Sequence, residues 1–250
     1  SGGGMQIETE ARGGKNKILL WVIIGIAVIV VGGVGYFVVY PLLFPSAEGP
    51  EDQMVLPPPA EPQLVPHQTL FVGPVSATTE VLLTDLTSGT IATNLASVAV
   101  FKQPNGTVQE VVVKDLSGSQ VPFKAFLSAL IPALSADTIG VWFEDDFTEF
   151  IYYNDAGAWP GMVARLKSGV SIEDAKTAMS ALEGADLSAL YLLSPGVFDP
   201  FKDGSINSYP TRYARGSATG ASLNYGFAGN YFFVSTSYDG LKTAAGLLGI

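Results

Sequence analysis

The sequence predicts an α+β domain of antiparallel sheets with a few amphipathic helices, carried behind one N-terminal transmembrane helix. Three observations lead there. Ile18 to Tyr40 is a run of 23 residues without a charge. Seven prolines crowd into the 22 residues from Pro45 to Pro66. Beyond Leu70, short β-like runs alternate with stretches of helical spacing, the pattern of an α+β domain.

At about 1.5 Å per residue the uncharged run reaches roughly 34 Å as a helix, enough for a hydrocarbon core of about 30 Å. Fifteen of its residues are Ile, Leu, Val or Phe. They favour insertion by roughly 5–9 kcal/mol, before Gly25, Gly32, Gly33 and Gly35 subtract from it. A soluble helix would show a polar face, and a cleaved signal peptide would have a shorter apolar core ending in a small-residue site. Neither feature is there. The span is assigned to residues 18–44, with the lipid bilayer as its partner. Arg12, Lys15 and Lys17 precede it and Glu48, Glu51 and Asp52 follow it. The positive-inside rule therefore leaves tail 1–17 in the cytoplasm and sends the rest across the cytoplasmic membrane. Ser1 to Gly4 reads as an appended or upstream linker rather than part of the fold.

Residues 45–69 form the Pro-rich tether. Extended polyproline II would let these 25 residues hold the following domain up to roughly 75 Å from the bilayer. Pro59-Ala-Glu-Pro62 fits a P-x-x-P recognition ligand literally, but a spacer explains the same composition.

Residues 70–250 are long enough for one domain with its own core. They hold 17 Asp and Glu against 10 Lys and Arg, a net −7 with the basic residues scattered. That argues against a nucleic-acid partner. Cysteine is absent and His67 is the sole histidine. Disulfides and thiolate chemistry are thereby excluded, and with His67 in the tether so are a His-based triad and a multi-histidine zinc site.

Within the domain, Val98 to Lys102 and Val108 to Val113 flank Pro104-Asn105-Gly106, which reads as a hairpin because Asn-Gly supplies positive φ. Asn105-Gly-Thr107 is also a glycosylation sequon, and the turn explains it without glycan. Phe123, Phe126, Leu127, Leu130, Ile131 and Leu134 recur at helical spacing until Pro132 kinks or ends the helix. Strands are expected at Thr138 to Glu144 and Phe147 to Tyr153 around an acidic turn, and another at Gly161 to Leu166. Ser171-Ile-Glu-Asp174 is a capping box for a helix with Ala175, Met179 and Leu182 on one face, stopped by Gly184. A meander follows: Val197 to Phe201, Tyr209 to Tyr213, Ser222 to Phe227 and Tyr231 to Thr236, with turns at Asp203-Gly204, Gly216 to Gly220 and Gly229-Asn230. Thr236 or Ser237 caps a final helix with Leu241, Ala244, Ala245 and Leu248 on one face.

The run Phe198-Asp-Pro-Phe-Lys-Asp-Gly-Ser-Ile-Asn-Ser-Tyr-Pro-Thr-Arg-Tyr213 carries a resemblance, together with Ser222-Leu-Asn-Tyr-Gly-Phe227, Tyr231-Phe-Phe-Val-Ser-Thr-Ser-Tyr238 and the Phe123 to Leu130 helix. The chain resembles an uncharacterised bacterial family of single-pass envelope proteins with an extracytoplasmic α+β domain of unknown function. The resemblance implies tail, span, Pro-rich tether and ectodomain in that order. It implies no activity and no site residues.

The residues themselves assemble no catalytic set and no cofactor motif. Glu144, Asp145, Asp146 and Glu149 are the densest acidic cluster and the metal candidates, because hard cations want several carboxylate oxygens together. A solvated hairpin turn is the preferred reading, because the Asp-x-Asp-x-Asp-Gly calcium loop is absent and alternation puts neighbouring carboxylates on opposite faces. Asp199, Asp203 and Gly204 are a lesser candidate, explained by a turn. Ser117, Ser119 and Lys124 suggest a Ser–Lys pair, but no Ser-x-x-Lys element occurs in the domain. Aromatic residues crowd the last third, where Tyr209, Arg212, Tyr213, Tyr225 and Tyr231 are the binding-surface candidates. Arg212 and Arg215 are at odd spacing, so one strand would send them to opposite faces.

The expected role is a membrane-anchored extracytoplasmic binding or scaffold protein of the bacterial cell envelope, non-enzymatic, touching another envelope protein or a wall component. The alternatives are a small-ligand or lipid-handling domain with an apolar cavity between helix 123–134 and the meander, or an inner-membrane component resembling those that assemble type IV pili.

Overall fold

The computed structural model describes residues 66–250; the tail 1–17, the span 18–44 and the tether through residue 65 lie outside the described residues. Among the described residues no helix is long and apolar enough to cross a membrane. The order of elements is β1 (Ala77–Leu83), α1 (Ser88–Ala99), β2 (Val108–Asp115), α2 (Phe123–Leu130), α3 (Ala136–Trp142), β3 (Phe143–Asn154), β4 (Gly157–Leu166), α4 (Ile172–Met179), β5 (Lys202–Ile206), β6 (Tyr209–Arg215), β7 (Ser222–Ala228), β8 (Tyr231–Ser235) and α5 (Tyr238–Leu248). The fold is α+β, built on one eight-stranded sheet ordered β1-β2-β3-β4-β8-β7-β6-β5. Only β1 and β2 run parallel, because α1 crosses over between them; every other pair is antiparallel.

Local chemistry explains most of the elements. Thr87 caps α1 by accepting from the Thr90 N–H, and Ile91, Leu95 and Val98 form its buried stripe. The α2 helix buries Phe123, Phe126, Leu127 and Leu130 and stops where Ile131 adopts φ −130 before Pro132. Ser171 caps α4 as its sequence anticipates, and the chain tightens into a 3-10 turn over Ser180–Gly184. Ser237 caps α5, which buries Leu241, Ala244, Ala245 and Leu248 and ends on Gly249 at φ 75. Gly161 faces Phe150 across the β3–β4 pair, and a Cβ there would stand 2.3 Å from the Phe150 ring. Glycine is what lets that ring cross the sheet.

Five local expectations are corrected. Val98 to Lys102 is the end of α1 and its exit, not a strand; three alternating residues cut from a capped helix imitate one. The Asn105-Gly106 turn is real, with Gly106 at φ 82, but β2 finds its partners in β1 and β3. Thr138 to Trp142 is helical because Ser135 accepts from the Thr138 N–H and Asp137 sits in the first turn. Val197 to Phe201 is irregular between Pro195 and Pro200, apart from a bridge between Phe198 and Gly216. The strand begins at Lys202 instead, and its turn is Asn207-Ser208 at φ 43 and 75. Gly204, expected in a turn, lies inside β5, where a Cβ would meet Thr211 and Tyr213 at 2.9 Å.

The two faces of the sheet carry different covers. Helices α1 to α4 lie over one: the Phe123 ring is 5.3 Å from Phe143 and 5.5 Å from Phe147, and Phe126 is 5.0 Å from Phe147. The expected cavity between helix 123–134 and the meander is filled by Phe143, which meets Phe227 and Phe232 at 6.4 and 5.1 Å. The other face carries α5 and the lead-in segment 66–75. There Leu70 N–H donates to Thr148 Oγ1 at 2.8 Å, Phe71 stands edge-on to Phe150, and Val72 and Gly73 N–H groups donate to the Leu247 carbonyl. The tether, read to residue 69, therefore gives up its last four residues to the domain surface.

Candidate functional site

Strand register puts eight residues of the helix-covered face in one row: Thr79, Val111, Glu149, Met162, Val234, Tyr225, Arg212 and Asp203. At its outer end the row opens into a groove of about 640 Å³, floored by β6 and β7 and walled by α4 and the Ser180–Gly184 turn. Arg212 is the hub. Its Nε and Nη2 each donate at 2.7 Å to the two oxygens of Glu183, and its Nη1 donates at 2.7 Å to Asp203. Tyr225 Oη also donates to Glu183, at 2.7 Å. The planar guanidinium meets a carboxylate in the geometry that suits it best.

The electrostatics of the groove are balanced. Arg212 beside Glu183 holds that carboxyl below its usual range, while burial and the neighbouring carboxylate push the Tyr225 hydroxyl up, so it stays protonated. Lys176 and Arg212 offset Glu183 and Asp203, so the lining carries no net charge. Asp203 is 94 % exposed and Arg212 is 33 % exposed, which leaves donors and acceptors facing solvent on a pinned frame. A guanidinium already bridged by two carboxylates is a poor phosphate clamp. It suits a ligand that both gives and takes hydrogen bonds.

The predicted surface residues divide between the faces. Arg212 and Tyr225 come together in the groove. Tyr209, Tyr213 and Tyr231 belong to the other face, where Arg165 lies 5.7 Å from the Tyr231 ring and Arg215 6.0 Å from the Tyr213 ring. Glu183, the residue that organises the groove, carries no signal in the sequence beyond the end of a helix pattern.

The acidic cluster is neither a turn nor a shared site. Glu144, Asp145, Asp146 and Glu149 all lie in β3, with a register irregularity between Phe143 and Phe147. Glu144 is exposed, and Asp145 pairs with Lys124 at 3.3 Å. Glu149 is 1 % exposed and faces the opposite side from Asp146, with neither carboxyl oxygen hydrogen-bonded among the described residues. Among those residues no group of three or more His, Cys, Asp or Glu is placed to hold a metal ion. Ser117 and Ser119 pack around the Asp115 carboxylate in a turn, away from any base role.

Asp146 instead grips the lone histidine. It accepts from His67 Nδ1 at 2.7 Å, from the Gln68 N–H at 2.9 Å and from Gln120 Nε2 at 2.6 Å. On the other side His67 Nε2 lies 3.2 Å from Glu110. Burial pushes the imidazole down, but the hydrogen bonds and charges of both carboxylates outweigh it and lift it from 6.5 to about 9. Both carboxyls stay below their usual range because His67 overcomes their own burial. A doubly engaged imidazolium is a clamp, not a general base. Comparison with known proteins finds no matching family model, no matching curated protein and no matching solved structure.

Proposed function

We propose that the chain is a membrane-anchored, non-enzymatic binding or scaffold protein of the bacterial cell envelope. Residues 18–44 cross the cytoplasmic membrane with the N-terminus inside, residues 45–65 space the domain from it, and the groove around Arg212 engages an envelope protein or wall component. The observation that carries the reading is the groove itself: an open, charge-balanced cleft whose polar groups are fixed by the Arg212–Glu183–Tyr225 network. Preorganised groups lose little freedom when a partner arrives. The mixed charge of the groove disfavours nucleic acid.

The test is site-specific photo-crosslinking of the full chain in native membranes. Reactive groups at Thr177 and Ser180, on the groove wall, are expected to capture the same partner. A group at Val141, exposed on α3, is expected to capture none, and Arg212→Ala is expected to abolish capture. Equal labelling from Val141, or capture indifferent to Arg212, would defeat the assignment of the groove. Protease protection in wall-stripped cells tests the topology separately: cleavage of the domain from outside is expected.

A further inference from the structure

The carboxyl of Glu149 has no role in the groove or the clamp, and it is buried without a hydrogen-bond partner among the described residues. Val111 and Met162 flank it in register, and Phe147 and Ile151 are its neighbours along the same face of β3. Over that face lie α2, through Phe123 and Phe126 against Phe147, and α1, which packs on α2. The charged groups of the surrounding elements are turned or tied elsewhere. The α1 helix has none, Lys124 of α2 is paired with Asp145, and Asp137 of α3 is in its first turn. Glu110 of β2 and Arg165 of β4 face the opposite side, by register with Phe150 and Tyr231. Of the polar groups on this face, Tyr153 donates to Gln109 at 2.6 Å, and Gln109 donates in turn to Thr79, two strands from Glu149 in the same row, at 2.8 Å.

We propose that Glu149 is a proton-held lock on the helical cover: neutral, it lets α1 and α2 close over the middle of the sheet, and losing its proton drives that cover open. An ionised carboxylate without a partner is not tolerated in such a place, and water is its only remedy. Opening α1 and α2 is the shortest way to supply it, since β3 is interior to the sheet. Burial alone raises this carboxyl well above its ordinary value. Opening then becomes about tenfold more favourable for each pH unit between the carboxyl's ordinary value of 4.5 and its raised folded value.

The test is hydrogen exchange by mass spectrometry on the full chain in lipid nanodiscs, from pH 6 to 10, corrected for intrinsic exchange. Protection of α1 and α2 amides is expected to fall by up to tenfold per pH unit in the wild type and to stay level in Glu149→Gln and Glu149→Met. Two variants are used because the amide of Gln is itself unpartnered at this site. Retention of the pH dependence in Glu149→Met, or loss of protection spread evenly over β4 and β8, would overturn the local lock. His67→Gln separates the second titrating group, because its effect belongs to residues 66–73 on the opposite face.

Discussion

Asp146 and Glu149 stand three residues apart on one strand and are treated in opposite ways. Asp146 faces the lead-in segment, accepts three hydrogen bonds and holds a charged histidine, and its carboxyl is kept low. Glu149 faces the helices, accepts none among the described residues and is kept neutral. Both side chains end in a carboxyl; the side of the sheet decides. A buried charge is retained where partners are supplied, and where they are not the group surrenders it.

The largest effect expected is from Glu149→Lys, which replaces a neutral acid by a cation the site cannot neutralise as readily. It should cost about 4 kcal/mol or more, read by denaturant unfolding. Glu149→Met should do the reverse and stabilise the domain by about 1–4 kcal/mol at pH 8, since a matched apolar group has nothing to desolvate. If Met destabilises, the carboxyl has an interaction that the contrast with Asp146 leaves out. His67→Ala removes the partner of two carboxylates and should cost about 1–3 kcal/mol, discounted for the partial exposure of Asp146.

The pH dependence sharpens the same comparison. His67 is raised from 6.5 to about 9, so its contribution is complete below pH 6.5 and lost as pH rises through 9. Glu149 is also raised, so it too weakens the fold as pH climbs from its ordinary value of 4.5. Asp146 and Glu110 are lowered, so their share is lost as pH falls through their folded values. Thermal melts should therefore drop on the alkaline side in two separable parts, one removed by His67→Ala and the other by Glu149→Met. The smallest stability effect is expected at the groove. Arg212→Ala should change unfolding by about 1 kcal/mol or less, because its network is part-exposed, while abolishing partner capture.

The sequence disclosed these regions unequally. Elements announced by local chemistry were legible: the Ser171 cap, the Gly229-Asn230 turn, the apolar stripe of α5. Elements defined by distant partners were not. β5 shows as a strand only because β6 pairs with it, and Val98 reads as a strand residue until Ile91 and Leu95 are counted with it. Arg212 and Tyr225 were legible as a polar-aromatic surface, but Glu183, 29 residues before Arg212, joins them only through tertiary packing. His67 was hidden for the same reason: its two acids are 43 and 79 residues away.

The way the lead-in segment is fastened has a mechanical consequence. Gln68 bonds to Asp146, Leu70 to Thr148, and Phe71 rests on Phe150, so the segment advances in step with the third strand of eight. Tension arriving through the chain upstream is thus delivered along an inner strand, where successive attachments share the load, rather than peeling an outer strand away bond by bond. Unfolding under a force applied through that segment will be set by its row of fastenings.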